Sequence, residues 1–142
     1  MSHQDLRNAV DVSRAVKKAS LAIGFADLTA SATSQSFDFA DVLPSGAIII
    51  GVGIDVSIAF DDGSTGVYTA DLGISSGDTD AFLNGVNLEV AAAHAVPQGV
   101  QPTGLVGAVT PALIVDAGAV DVDTTIAGAL EVSILYVDAA AF

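Results

Sequence analysis

The sequence predicts an all-β protein, an antiparallel sandwich of seven to nine short strands with a barrel as the second choice, carrying an N-terminal arm or short helix. Three observations carry that expectation. Apolar residues recur at every second position through most of the chain. Turn signals rich in Gly, Pro and Asp interrupt them every eight to twelve residues. Fifteen of the seventeen acidic residues are Asp and only two are Glu, and Asp favours turns and caps where Glu favours helix interiors. The length of 142 residues suits one domain, and a hydrophobic content of 51% supplies a core despite the net charge of −13.

Residues Asp5–Ser20 are the one stretch with a helical period, with Leu6, Val10 and Val16 near one face and Arg7, Asp11, Arg14 and Lys18 near the other. A segment this short is marginal as an isolated helix, so an arm ordered by a partner is the preferred reading. Lys17 to Ala26 imitates a secretory signal, but polar residues precede it and Asp27 interrupts the approach to the small residues beyond, so it is read as uncleaved chain. The longest apolar run, Ala47–Ile54, has eight residues. That is too short for a membrane helix, and the chain is expected to be soluble.

Leu21, Ile23 and Phe25 open the two-residue period, and Phe37 and Phe39 continue it. A long strand is expected over Ala47–Phe60, bent at Gly51 and Gly53. Asp61-Asp62-Gly63-Ser64 reads as a hairpin turn with its return strand at Val67–Ile74. Ser76–Gly85 reads as one helical turn capped by Asp78 and stopped by Gly85. A strand is expected at Asn87–Ala93, then a loop marked by Pro97, Gly99, Pro102 and Gly104, then strands at Pro111–Val115, Thr124–Gly128 and Ala129–Val137. No solenoid repeat and no strand–helix–strand alternation is present.

Charge is distributed asymmetrically. All four bases, Arg7, Arg14, Lys17 and Lys18, lie in the first eighteen residues beside Asp5 and Asp11, whereas residues 19–142 hold fifteen acids and no base. The division expected is a basic arm over 1–18 and a β domain over 19–142. The polyanionic body excludes nucleic-acid binding, which is built from Lys and Arg on phosphates. Arg7, Arg14, Lys17 and Lys18 are the candidate partner-binding residues, suited to an acidic surface that includes a neighbouring copy's.

Chemistry-bearing motifs are sparse. With no cysteine and only His3 and His94, thiolate metal sites, cysteine nucleophiles and multi-histidine sites lack their ligands. Asp61/Asp62, Asp78/Asp80 and Asp121/Asp123 could be read as cation ligands or a catalytic acid pair, but none is followed by the remaining ligands of a calcium loop. Turn chemistry accounts for them better. Gly51-Val52-Gly53 lies in an apolar strand and is no nucleotide loop, and no G-x-S-x-G elbow exists. His94, among alanines, is expected to be partly buried or at an interface. Two tyrosines and no tryptophan give little material for stacking on sugars or bases. No catalytic residue, cofactor, metal or membrane partner is expected.

The order of the motifs adds to this. Phe37-Asp38-Phe39 precedes Leu43-Pro44-Ser45-Gly46-Ala47-Ile48-Ile49-Ile50-Gly51-Val52 and then Val56-Ser57-Ile58-Ala59-Phe60. Leu72-Gly73-Ile74 and Gly77-Asp78-Thr79-Asp80-Ala81-Phe82-Leu83 follow. Over about residues 35–90, with an echo at Gly128–Val137, this pattern resembles small virion proteins of tailed bacteriophages, jelly rolls that decorate or cement the capsid. The resemblance implies a jelly-roll sandwich, no enzymatic activity and no cofactor. It further implies a homo-oligomer, trimer in preference to dimer, bound to the major capsid protein on the outer capsid surface after synthesis in the host cytoplasm. A phage tail or surface module recognising a host glycan or receptor is the alternative, and a small hydrolase using paired aspartates ranks behind both.

Overall fold

The computed structural model describes residues 16–97 and 107–138. Eight strands are named among them: β1 (Val16–Gly24), β2 (Ser34–Asp38), β3 (Ile48–Asp61), β4 (Thr69–Ile74), β5 (Leu83–Asn87), β6 (Ala93–Pro97), β7 (Pro111–Asp116) and β8 (Ala127–Val137). They form two four-stranded sheets, β1-β8-β3-β6 and β2-β7-β4-β5, and every paired strand is antiparallel. Only β4 and β5 are consecutive strands paired in one sheet; every other connection crosses from one sheet to the other. Two four-stranded sheets wound in this order make a jelly roll.

The alternation seen in the sequence fills the space between the sheets. Ala19 and Ile23 of β1, Val52, Ile54 and Val56 of β3 and Leu130, Val132 and Ile134 of β8 pack against Ala70 and Leu72 of β4 and Leu113 and Val115 of β7. Tyr68 is fully buried, and its hydroxyl lies 2.7 Å from Thr125 Oγ1. Thr125 spends its one hydroxyl proton on the Val122 carbonyl, so Tyr68 is the donor.

Two expectations are corrected. Asp61-Asp62-Gly63-Ser64 is not a hairpin turn. A strand has two edges, and both edges of β3 are taken, one by β8 and one by β6. The latter pairing is prolonged beyond β6, for Val56 N–H donates to Ala92 O and Phe60 N–H to Leu88 O. The chain after Asp61 therefore has no edge to return to and crosses to the other sheet. The Asp62 carboxylate accepts the N–H groups of Ser64 and Gly66 and shapes a loop wider than a two-residue turn.

The helical turn expected at Ser76–Gly85 is a β-turn followed by β5. Phe82 N–H donates to Leu72 O at 2.9 Å and Leu83 pairs with Leu72, so the β4–β5 ladder takes the backbone groups a helix would have needed. Gly73 permits this turn to close. A Cβ there would lie 2.3 Å from the Asp78 carbonyl oxygen and from Thr79 C, a backbone approach that only glycine allows.

Smaller shifts follow the same logic. Residues 88–92, expected within a strand over Asn87–Ala93, bridge β5 to β6. The Thr124–Gly128 strand is a 3-10 turn at Val122–Thr124 followed by the start of β8. Val16–Ser20 are strand, not the tail of a helix, and much of the signal-like stretch is β1 itself. The loop expected around Pro97–Gly104 and residues 5–15 of the arm or helix fall largely or wholly outside the described residues. No helix among the described residues is long and apolar enough to cross a membrane.

Candidate interaction surface

Of the four candidate basic residues, Lys17 and Lys18 are exposed in β1, whereas Arg7 and Arg14 lie outside the described residues. Lys18 Nζ is 3.5 Å from Glu131 Oε1 of β8, and both side chains are about half exposed (53% and 54%). A pair this exposed is screened by solvent and contributes little to stability. β1 takes in the last three residues of the expected 1–18 arm, so the two lysines belong to the sheet.

The paired aspartates act mostly within loops. Asp61 accepts the Gly63 N–H at 2.8 Å, Asp123 accepts the Ser31 hydroxyl at 2.8 Å, and the Asp121 carbonyl accepts the Thr124 hydroxyl at 2.7 Å. Asp71 and Asp116 likewise accept the N–H groups of Gly85 and Gly118. Asp78 and Asp80 differ. A hydrogen bond between their carboxyls and the negative charge of Asp78 raise the Asp80 pKa above the ordinary aspartate value. Asn84 Nδ2 donates to the same Asp80 carboxyl at 3.0 Å, and Asp71 adds a weaker repulsion in the same direction. Both carboxyls lie on an exposed turn.

Among the described residues no group of three or more His, Cys, Asp or Glu is placed to hold a metal ion. His94 is half-buried opposite Ile54, and its Nε2 is buried with no hydrogen-bond partner among the described residues. Tyr68 and Tyr136 are both core residues, so neither offers an open ring face to a sugar.

What residue spacing did not reveal is the outer face of the β1-β8-β3-β6 sheet. Across its middle the register sets Ala22, Glu131, Asp55 and Ala93 in one row. Two carboxylates thus stand directly opposite each other on neighbouring strands, an arrangement that costs stability. The Asp55 carboxylate makes no hydrogen bond or ion pair with another described residue. Ser20, Ser133 and Gly53 form the adjoining row. Gly53, Ser133 and Ala93 line a shallow hollow of ≈ 330 Å³, and Ala22, Gly24, Ser57 and Ala129 line another of ≈ 490 Å³; Asp55 and Glu131 border both. At one end of the face Val16, Val137 and Ile48 form an apolar row beside Leu135. The signal was present in the alternation Gly53, Asp55, Ser57 and Glu131, Ser133, Leu135, but only pairing brings the acids together.

No family model and no curated protein matches the sequence. Solved structures do. The chain is similar to a chain of the cyanophage Pam1 capsid asymmetric unit, with a TM-score of 0.62 and 20% identity, covering 86% of this chain and 84% of that one. It is similar also to a chain of the acid-stable capsid structure of Helicobacter pylori bacteriophage KHP30, with a TM-score of 0.60 and 17% identity, covering 87% of each chain. At these identities the likeness establishes a shared architecture.

Proposed function

We propose that this chain is a structural virion protein that decorates and cements a phage capsid by binding the major capsid protein from outside. The observation that carries the reading is the likeness to two capsid chains over most of both partners. Near-equal coverage makes each of those chains about as long as this one, so the match is to whole small capsid components rather than to a domain of a larger subunit. A jelly roll with many of its aspartates engaged in loops, and with its cations gathered at one end, suits a clamp better than a catalyst. Nothing in the described surface favours the glycan or receptor reading.

In this reading the sandwich supplies a stiff body and the basic leading segment grips carboxylates on the shell or on an adjacent copy. Binding only to assembled subunits stabilises the assembled state by mass action, and a homo-oligomer, a trimer in preference to a dimer, multiplies the grip through effective concentration. Cosedimentation of the purified full chain with empty expanded shells tests this. Saturable pelleting with shells is expected, and a protein left wholly in the supernatant would overturn the reading.

A further inference from the structure

We propose that β1 pairs with β1 of a second copy, antiparallel across a two-fold axis at Ser20, so that two jelly rolls share one continuous sheet. The inference deepens the capsid reading, on which its biological use rests, by naming the edge through which copies join. The contact joins copies two by two and, between trimers, links one trimer to the next. Of the four strands at sheet edges, β1 differs from the rest. It runs nine residues, whereas β2, β5 and β6 have five each. Its pairing with β8 continues from end to end without a register shift, whereas the β4–β5 ladder shifts and β6 ends at Pro97. Proteins blunt exposed edges by making them short, bulged or broken by proline, and β1 is none of these. β8 takes one side of it; on the other, no backbone hydrogen bond from a described residue reaches it. Such an edge accepts another strand through main-chain hydrogen bonds.

Charge selects the partner and the direction. Among the described residues the only Lys or Arg are Lys17 and Lys18, at the leading end of β1. At its trailing end Asp27 accepts the Gly24 N–H, and Glu131 stands opposite Ala22. Antiparallel pairing centred on Ser20, the middle of the strand, sets Lys18 opposite Ala22 of the second copy. Lys18 then shares a face with that copy's Glu131, two strand spacings or about 10 Å away between α-carbons, within the combined reach of the two side chains. Lys17 falls at the end that Asp27 occupies. The two-fold repeats each contact. Lysine on an edge ordinarily discourages edge-to-edge pairing; here it rejects the parallel arrangement, which sets lysine against lysine, and favours the antiparallel one. The Lys18–Glu131 pair within one copy is too exposed to hold either side chain. Elsewhere the bodies, with fifteen acids and no base after residue 18, bring acid against acid. Ala19–Ile23 carry no charge and no proline, and exposed Val16 and Phe25, at opposite ends of the strand, come together across the axis.

The chain has no cysteine, so an introduced one reports a single contact. Full-length Ser20→Cys, exposed on β1, is oxidised mildly without shells. A disulfide-linked dimer is expected in several-fold greater yield than from Ser36→Cys, exposed on the edge strand β2. Lys18→Glu and Glu131→Lys are then each placed in the Ser20→Cys chain, with folding verified by circular dichroism. Each alone should lower the yield several-fold, and mixing the two should restore it, since only the heterodimer joins opposite charges at both contacts. Each variant keeps like charges at 18 and 131 within its own chain, so restoration reports contact between copies. Glu131→Lys also makes the chain less anionic, so bulk repulsion cannot account for its loss. A Ser20→Cys yield no greater than the Ser36→Cys control, or variants no better linked when mixed than alone, would overturn the proposal. Because no shell is present, this result is independent of shell binding, which cosedimentation decides separately.

Discussion

Tyr68, Gly73 and Asp80 each show a different way in which one residue holds this fold. Tyr68 donates to Thr125, which donates onward to the Val122 carbonyl, tying the entry of β4 to the turn before β8. Tyr68→Phe should cost about 1 kcal/mol, the worth of one buried hydrogen bond with its acceptor left unpaired, read from the shift of a urea midpoint at constant slope. Burial, the largest cause, pushes the Tyr68 pKa up, and the negative charges of Asp62 and Asp61 act in the same direction. The neutral phenol is therefore favoured on folding. Its contribution is intact below the ordinary tyrosine pKa and is lost as pH rises through the raised one, so Tyr68→Phe should weaken alkaline unfolding. Gly73→Ala places a methyl against the backbone of residues 78 and 79 and should destabilise by about 2 kcal/mol or more, measured in the same way. At Asp80 the folded state holds its proton more tightly than the unfolded state does. That contribution is complete below the ordinary aspartate pKa and disappears as pH rises through the elevated value. Asp80→Asn should flatten the dependence of the urea midpoint on pH between those limits, and an unchanged slope would contradict the raised Asp80 pKa.

Strands were the most legible elements, and the ways they connect the least. The Ala47–Phe60 alternation predicted β3 to within one residue at each end, because one face must be apolar wherever the sheet meets the core. Pro111–Val115 and Ala129–Val137 were legible for the same reason. The turn after β3 was not, because a local Asp-Asp-Gly-Ser reads identically whether the chain returns to the same sheet or crosses to the other. The choice was made by β8 and β6, remote in sequence, which occupy the edges of β3. The Ser76–Gly85 helix failed likewise, since tertiary pairing of Phe82 and Leu83 with Leu72 overrides a local cap signal. The acidic row on the outer sheet face was invisible in sequence because Asp55 and Glu131 are far apart in the chain and meet only through register. At the N-terminus the lysines looked continuous with Arg7 and Arg14, but a strand edge also attracts lysine, which discourages edge-to-edge pairing. A deletion meant to remove the arm should consequently stop at residue 15. The expected outcome is an unchanged β-sheet circular dichroism spectrum with reduced pelleting on shells; removal of 1–18 should also lower the thermal midpoint, by stripping three residues from β1.

For the molecule as a whole, charge and architecture divide the labour. Among the described strands β4–β5 is the only consecutive pair within one sheet, so nearly every connection between them ties the two sheets together. The body is strongly anionic, and the bases are confined to its leading residues. In the proposed reading the basic residues grip carboxylates on a partner, a contact that salt would weaken as it shortens the Debye length to about 10 Å at 0.1 M. Attachment to shells should accordingly decline with ionic strength in the full chain, and more shallowly in the chain lacking residues 1–15. Cementing itself is measured most directly by calorimetry of empty expanded shells with and without saturating protein. The temperature at which shells disassemble should rise and then plateau as binding sites fill. A disassembly temperature unmoved at full occupancy would show a passenger on the capsid and contradict the account.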